Sequence, residues 1–425
     1  MTTRQTPSAP GGLDILYAGT LPPHPGGSAL LCGPLLQALA RMGHRIRAVA
    51  PIVEDTTSTL APFAAGSPNL TVARFAVPYY ATVDDFLFDS YRAHLNFEEQ
   101  QARKRISSWM AVRPADVVML GRETCLWYLP DDCTDFSAPV VFVAHGLVTH
   151  RWMSGLYPEG LCKEILARYQ RAARIATPSV NTARFLASVG LDQVRVIPNP
   201  VDMELFAPRP KDPCLLRELS VKPDELVVVH ASNLKAVKRP LDIVGSAEAA
   251  LKENPGLVYV IVGDGEYRSI MSDTCQRKGI ADRFRFTGWV DHEKMPAYLN
   301  LADIVVMASE IETQALVYLE AQASGRLLLT SDIPAAREVV SDGENGLMFR
   351  VGDVDDLSAK TLLAAASPAL RERIGRVARQ TVGAHALQRV ASAYDALLRE
   401  VVLGGIDPDR VSRARPRKHR EAGRQ

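Results

Sequence analysis

A chain of 425 residues, 47% hydrophobic and 23% charged, can bury large cores and has the length of two or three globular domains. Its 49 basic and 48 acidic residues leave a formal net charge of +1, so no whole-chain field favours nucleic acid or an anionic surface. No apolar run reaches the roughly 20 residues of a membrane helix and MTTRQTPSAPGG has no hydrophobic signal core, which predicts a cytoplasmic protein without stable membrane insertion.

Six cysteines, Cys32, Cys125, Cys133, Cys162, Cys214 and Cys275, occur without a C-x-x-C pair. That pattern fits buried reduced thiols better than a disulfide framework or a zinc site, and no metal site is expected.

In chain order, short β-rich apolar runs alternate with amphipathic stretches of helical length. LDILYAG starts at 13, RIRAVAP at 45, VVMLG at 117, VVFVAHG at 140 and RVIPN at 195. Between Asn199 and Glu225 the pattern breaks into NPVDMELFAPRPKDP and a short helical piece. It restarts with LVVVHAS at 226, VYVIVGDG at 258, FRFTG at 284, DIVVMAS at 303 and LLLTSD at 327. Such alternation predicts βαβ units, hence two doubly wound α/β domains with parallel sheets, residues 1–205 and 206–383. The stretch from Pro368 to Val402 reads as two helices, and the one within 384–402 is expected to pack back on the first domain. The basic end, 403–425, reads as disordered. Ligands of such sheets bind at the carboxyl ends of the strands, so a cleft with the two domains facing each other is the expected site.

The most informative segment is ASEIETQALVYLEAQASGRLLLTSD. Strand DIVVMAS leads into it, which places Glu312 in the loop at the strand's carboxyl end and starts a helix at Ala315. Amides at that helix start, with the positive end of the helix dipole, can hold a diphosphate or the sugar beside it. Glu320 sits in LVYLEAQA, an otherwise nearly uncharged helix that would be buried. Its acceptor oxygens suit a ribose diol better than a solvated surface role.

This segment resembles the E-x7-E element of the retaining family-four glycosyltransferases, S-x-x-E-G-x-G-x-x-x-x-E-A-x-A-x-G, with Ser309, Glu312, Glu320, Ala321, Ala323 and Gly325 in register. Further likeness runs from LPPHPGGSALLCGPLLQALARMGHRIRAV through VIPNPVDMELFAP, VGDGEYR and FTGWVDHEKMPAYLNLAD to SDIPAAREVVSDGENGLMF. The resemblance implies the GT-B fold, two Rossmann-like domains, the first binding acceptor and the second nucleotide-sugar. It also implies retaining, metal-independent transfer with no cofactor beyond the co-substrate.

Thr313, Gln314 and Ala315 replace the family's Gly-x-Gly, so side chains enter the loop around the donor sugar, and Leu316 follows. Ser232-Asn233 stands where many relatives have Gly-Arg, and Pro200 replaces a glycine. Asn233 cannot supply an arginine's charge, which leaves phosphate neutralisation to Lys238, with Lys235 and Arg239 as further donor-binding candidates. The SN-x-K-x-x-KR wording resembles the branch that glycosylates small soluble acids and thiol precursors. Gly26 and Gly27 precede a helix expected near Ser28 and, by resemblance, line the donor and acceptor cleft. His145, at the end of VVFVA, matches a family histidine that contacts the donor sugar or positions the acceptor. Gly263 lies in a G-x-G element near the nucleotide, and Val290 lies where the family's backbone meets the base.

The expected mechanism is front-face substitution, with Glu312, the helix-start amides and His145 around the sugar and Lys238 offsetting the leaving charge. Expected partners are a UDP- or GDP-sugar and a small-molecule acceptor, in thiol or secondary-metabolite biosynthesis, with homodimerisation allowed and nucleic acid excluded. The alternatives are a sugar-nucleotide-binding protein that lost turnover and a transferase for a lipid or polysaccharide. Against a lipid, RAHLNFEEQQARKRISSWM mixes Glu98 and Glu99 with Arg103, Lys104 and Arg105.

Overall fold

A computed structural model describes residues 11–22, 27–53, 67–77, 88–128 and 138–404. The chain divides into two compact units, one comprising residues up to Pro198 with the chain from Val390 onward, the other Asn199–Arg389. The division therefore lies at 198/199 rather than 205/206. The cause is local pairing: Val201 N–H donates to His385 O at 2.8 Å and Leu387 N–H to Val201 O at 3.1 Å, which ties both chain crossings into the second unit.

In the first unit β1 (Asp14–Ala18), α1 (Gly27–Arg41), β2 (Arg45–Val53), β3 (Leu70–Val77), α2 (Phe88–Val112), β4 (Val117–Leu120), β5 (Val140–Val143), α3 (Leu147–Met153), α4 (Glu159–Tyr169), β6 (Arg174–Thr177), α5 (Val180–Ser188) and β7 (Val194–Val196) follow one another. Among the described residues the strands form one parallel sheet in the order β3-β2-β1-β4-β5-β6-β7. β1 and β4 are buried along their whole length, as expected of central strands covered on both faces. β3 and β6 were not among the strands read from the sequence. LTVARFAV mixes Arg74 into an edge strand with partly exposed positions, and RIAT brackets only two apolar residues with Arg174 and Thr177, so neither presents a clear apolar run.

The second unit continues with α6 (Pro213–Glu218), β8 (Leu226–Ala231), α7 (Pro240–Glu253), β9 (Leu257–Val262), α8 (Tyr267–Arg277), β10 (Phe284–Gly288), α9 (Met295–Leu301), β11 (Ile304–Met307), α10 (Leu316–Ala323), β12 (Leu327–Ser331), α11 (Pro334–Arg337), β13 (Leu347–Phe349), α12 (Val354–Ala366), α13 (Pro368–Thr381) and the start of α14 (Leu387–Gly404). Its sheet runs β10-β9-β8-β11-β12-β13. Successive residues of each strand enter opposite cores: Val227, Val229 and Val305 pack on one side, Val228, Ile304 and Val306 on the other. That two-sided burial explains why these strands read as continuous apolar runs.

Two of the proline-initiated helices, α6 and α13, take side-chain caps from the preceding residue, whereas α7 and α11 have none. Asp212 accepts from Cys214 N and Leu215 N at the start of α6, and Ser367 from Leu370 N at the start of α13. From Val390 on, α14 belongs to the first unit, where Glu400 pairs with Arg174 at 2.6 Å and Asp395 lies 2.8 Å from His44. Cys32, Cys125 and Cys275 are buried reduced thiols, but Cys214 is exposed on α6, against the expectation that all are buried, while Cys133 lies outside the described residues. No helix among the described residues is long and apolar enough to cross a membrane. The basic end from 405 onward lies outside the described residues, and 403–404 complete α14.

Candidate active site

In the second unit the central strands β8 and β11 bring their carboxyl ends together. The loop after β8 makes a turn at Ala236–Lys238, and Glu310 N–H donates to Val237 O at 2.9 Å, docking that turn on the loop after β11. Lys238 and Glu312, 74 positions apart, meet there with Nζ 2.6 Å from Oε1, their side chains 18% and 10% exposed. Ser309, fully buried, donates to the same Oε1 at 2.8 Å. A lysine and a glutamate of the expected set are thus one hydrogen-bonded unit. Arg239 is placed differently from expectation. It takes a left-handed backbone (φ 47°) between the turn and α7, and its guanidinium pairs with Asp242 at 2.6 Å and Glu310 at 3.6 Å, so two carboxylates already match its charge.

α10 begins at Leu316 with Ala315 in the N-cap position, where no side chain caps the first-turn amides. Gln314 closes the loop before it and is committed to the protein: Asn199 N–H donates to Gln314 Oε1 at 2.7 Å and Asn199 Nδ2 to its backbone carbonyl at 3.1 Å. The side chain expected to reach the donor sugar instead ties this loop to the start of the unit. Thr313, Ala315 and Leu316 are half-buried around it. Glu320, 5% exposed on α10, has its Oε1 2.7 Å from His292 Nε2. Burial disfavours a charged imidazole, yet the hydrogen bond and charge of Glu320, with Glu293 and Asp202 nearby, outweigh it and hold His292 above its ordinary value. Sequence reasoning missed His292, since a histidine four residues beyond a strand-end glycine carries no periodic signal.

A second missed group is His230, fully buried at the end of β8, with Nδ1 2.9 Å from Val306 O and Nε2 2.7 Å from Ser232 Oγ. A carbonyl only accepts, so the proton sits on Nδ1 and the Ser232 hydroxyl donates to Nε2. Burial pushes this imidazole down to about 4.

Gly263 serves the fold at this edge. Its φ is +120°, a Cβ there would stand 1.9 Å from Ser232 O, and its N–H already donates to Gly288 O at 2.9 Å. That amide is therefore not offered to a nucleotide. Asn233 is exposed, Lys235 is half-buried, and Val290 packs against the apolar core beside exposed Trp289.

In the first unit His145 lies two residues past β5. Its Nε2 is 3.0 Å from Gly121 O, which fixes the proton on Nε2, while Nδ1 is buried and meets no hydrogen-bonding group among the described residues. Burial lowers this imidazole to about 4, so it stays neutral. Glu123 positions it: the fully buried carboxylate accepts from Val148 N at 2.8 Å, Thr149 N at 3.2 Å and Thr149 Oγ1 at 2.8 Å, fixing the first turn of α3 next to His145. Burial raises the Glu123 carboxyl and these donors oppose that. Gly27 opens α1, so Ser28 lies inside the helix rather than before it, with Oγ 2.8 Å from Thr20 Oγ1. Gly26 lies outside the described residues. The helix weighed as a lipid-facing element, α2, buries Glu98 against Arg122 (2.6 Å) and Tyr128 (2.8 Å). No cluster of three or more metal-ligating side chains occurs among the described residues.

Residues 25–205 match the family profile described as Glycosyltransferase Family 4, and residues 215–381 match Glycosyl transferases group 1. The chain belongs to the family-four glycosyltransferases. Its two units are Rossmann-like α/β units of the GT-B fold. It is 28% identical over 251 residues to a glycogen synthase of Mycobacterium tuberculosis, covering 58% of this chain and 59% of that one. It is 31% identical over 194 residues to a 2-deoxystreptamine N-acetyl-D-glucosaminyltransferase of Streptomyces fradiae, covering 44% and 46%. The match thus covers about half to three fifths of these relatives' lengths. In structure it resembles HepE of Anabaena, solved with UDP and glucose, with a TM-score of 0.71 at 17% identity over 91% of this chain and 99% of that one.

Proposed function

We propose that this family-four chain transfers a sugar, with retention, from a nucleoside-diphosphate sugar to a small soluble acceptor. The observation that carries the reading is the Lys238–Glu312–Ser309 unit, set at the ends of β8 and β11 beside a helix whose first-turn amides lack a side-chain cap. It joins a cation able to meet a leaving diphosphate with a carboxylate able to hold sugar hydroxyls. Glu320 supplies acceptor oxygens for the ribose and His292 orients them. His145, neutral and with an unsatisfied Nδ1, accepts a sugar or acceptor hydroxyl.

In the reaction the leaving β-phosphate oxygen takes the acceptor's proton as the new glycosidic bond forms on the face the phosphate leaves. Lys238 offsets the charge on that oxygen, contributing about 3 kcal/mol as preorganised groups of this kind do. Because Lys238 performs that task, the reaction runs without a metal ion. HepE's complex with UDP supports a uridine donor, and the aminoglycoside-type relative supports a small soluble acceptor.

A thermal-shift panel of UDP, GDP, ADP and TDP tests the reading, followed by donor hydrolysis with and without EDTA. One nucleotide should raise the melting temperature clearly above the others, and hydrolysis should survive EDTA. No shift from any of the four would overturn donor binding, and hydrolysis that needs Mg²⁺ would overturn the metal-free scheme.

A further inference from the structure

We infer that His230 and Ser232 form a proton-linked contact for the donor's diphosphate, His230 taking up a proton as the anion binds while Ser232 turns its hydroxyl hydrogen onto a phosphate oxygen. The inference rests on the diphosphate reading above and adds the residues that stand in for a second cation.

Val306 O holds the Nδ1 proton of His230, so in the unliganded chain Ser232 must donate to Nε2 across 2.7 Å. Ser232 then shows only lone pairs to anything that approaches the loop. An anionic oxygen arriving there is repelled. A proton taken from solvent onto Nε2 reverses the bond: Nε2–H donates to Ser232 Oγ, and the serine hydrogen becomes available to the anion. No covalent bond forms or breaks apart from this proton transfer.

Charge counting gives the reason such a proton would bind. A diphosphate diester carries about two negative charges, and Lys238, whose ammonium lies against Glu312, contributes no net charge as a pair. Arg239 is matched by Asp242 and Glu310, position 233 holds a neutral asparagine, and Lys235, half-buried before the turn, adds at most one positive charge against the diphosphate's two. The charged groups facing His230 are Lys238, from the turn after β8, which opposes its protonation, and Glu312, from the loop after β11, which favours it. Burial keeps the ring neutral until a further anion arrives. A diphosphate beside Ser232 is that anion.

The test is calorimetric titration with UDP-glucose, whose esterified diphosphate has no proton of its own to exchange near pH 6. Titrations at pH 6 in two buffers of different ionisation enthalpy give the protons taken up. Wild type should take up a fraction of a proton more than His230→Gln does. Its affinity should strengthen as pH falls from 7.5 to 5.5, by at most about tenfold per unit. Ser232→Ala, which leaves the buried ring in place, should lose the same uptake. Any contribution from His292 persists in both variants and cancels in the comparison. Equal uptake in wild type and His230→Gln overturns the inference and leaves the donor reading standing, as does uptake retained in Ser232→Ala. If neither UDP nor UDP-glucose binds wild type, the donor reading falls and this inference with it.

Discussion

Replacing Glu320 with glutamine removes a charge while keeping the side chain's volume and one acceptor oxygen. The carboxylate is 5% exposed and 2.7 Å from His292, so glutamine can still accept from Nε2–H and the helix need not move. Hydrogen bonds to a charged group contribute about 1.5–3 kcal/mol and neutral ones about 1. With a ribose diol on the same side chain, the loss should be about 1–3 kcal/mol, or roughly five- to 150-fold in Kd. UDP and the intact donor both carry that ribose, so both should weaken by the same factor, with turnover at saturating donor little changed.

The His292 ring gives an independent readout of the same change. Its folded value is raised, so the stability it contributes is present below the unfolded value of about 6.5 and is lost as pH rises through the folded one. Glu320→Gln removes that contribution. The variant should therefore melt below wild type at pH 5.5–6.5 and converge with it at pH 8. Calorimetry with UDP and melting curves across pH measure both effects. Unchanged UDP affinity in a variant that melts normally at pH 8 would refute the ribose assignment, whatever happens to turnover.

Glu312→Ala should act on the other side of the donor. It releases Lys238 from its ion pair, so UDP affinity should hold or tighten while turnover falls about 10²–10³-fold, and a loss of UDP affinity matching that of Glu320→Gln would show the two glutamates are not divided as assigned. Gly263→Ala places a Cβ 1.9 Å from Ser232 O on a φ of +120°, and a stability loss of about 3 kcal/mol or more is expected by denaturant unfolding. His230 is held down to about 4 by burial, so the stability of its neutral form is complete above about pH 6.5 and is lost as pH falls toward 4, by about 3 kcal/mol in all. Equilibrium unfolding between pH 7 and 4 should show that loss in wild type and a flatter profile in His230→Gln.

The parallel α/β class, the break near residue 200 and the segment bearing Glu312 and Glu320 are legible in the order of amino acids alone. Each is written in local period: apolar runs buried on two faces, a stretch rich in proline, and a carboxylate inside an otherwise apolar helix. Strands that are short or mixed with charge, such as Arg174–Thr177 and Leu347–Phe349, left no such trace.

Which residues meet is set by the three-dimensional fold. Lys238 reaches Glu312 across 74 positions, Gln314 reaches back to Asn199 across 115, and Arg239 turns to Asp242 and Glu310 instead of toward a phosphate. His292 on Glu320 and Val306 on His230 are likewise products of β-sheet order and loop docking. A residue's type states which hydrogen bonds it can make, but which partner it takes depends on strand ends brought together from distant stretches of chain, and that neighbourhood has no local period to read.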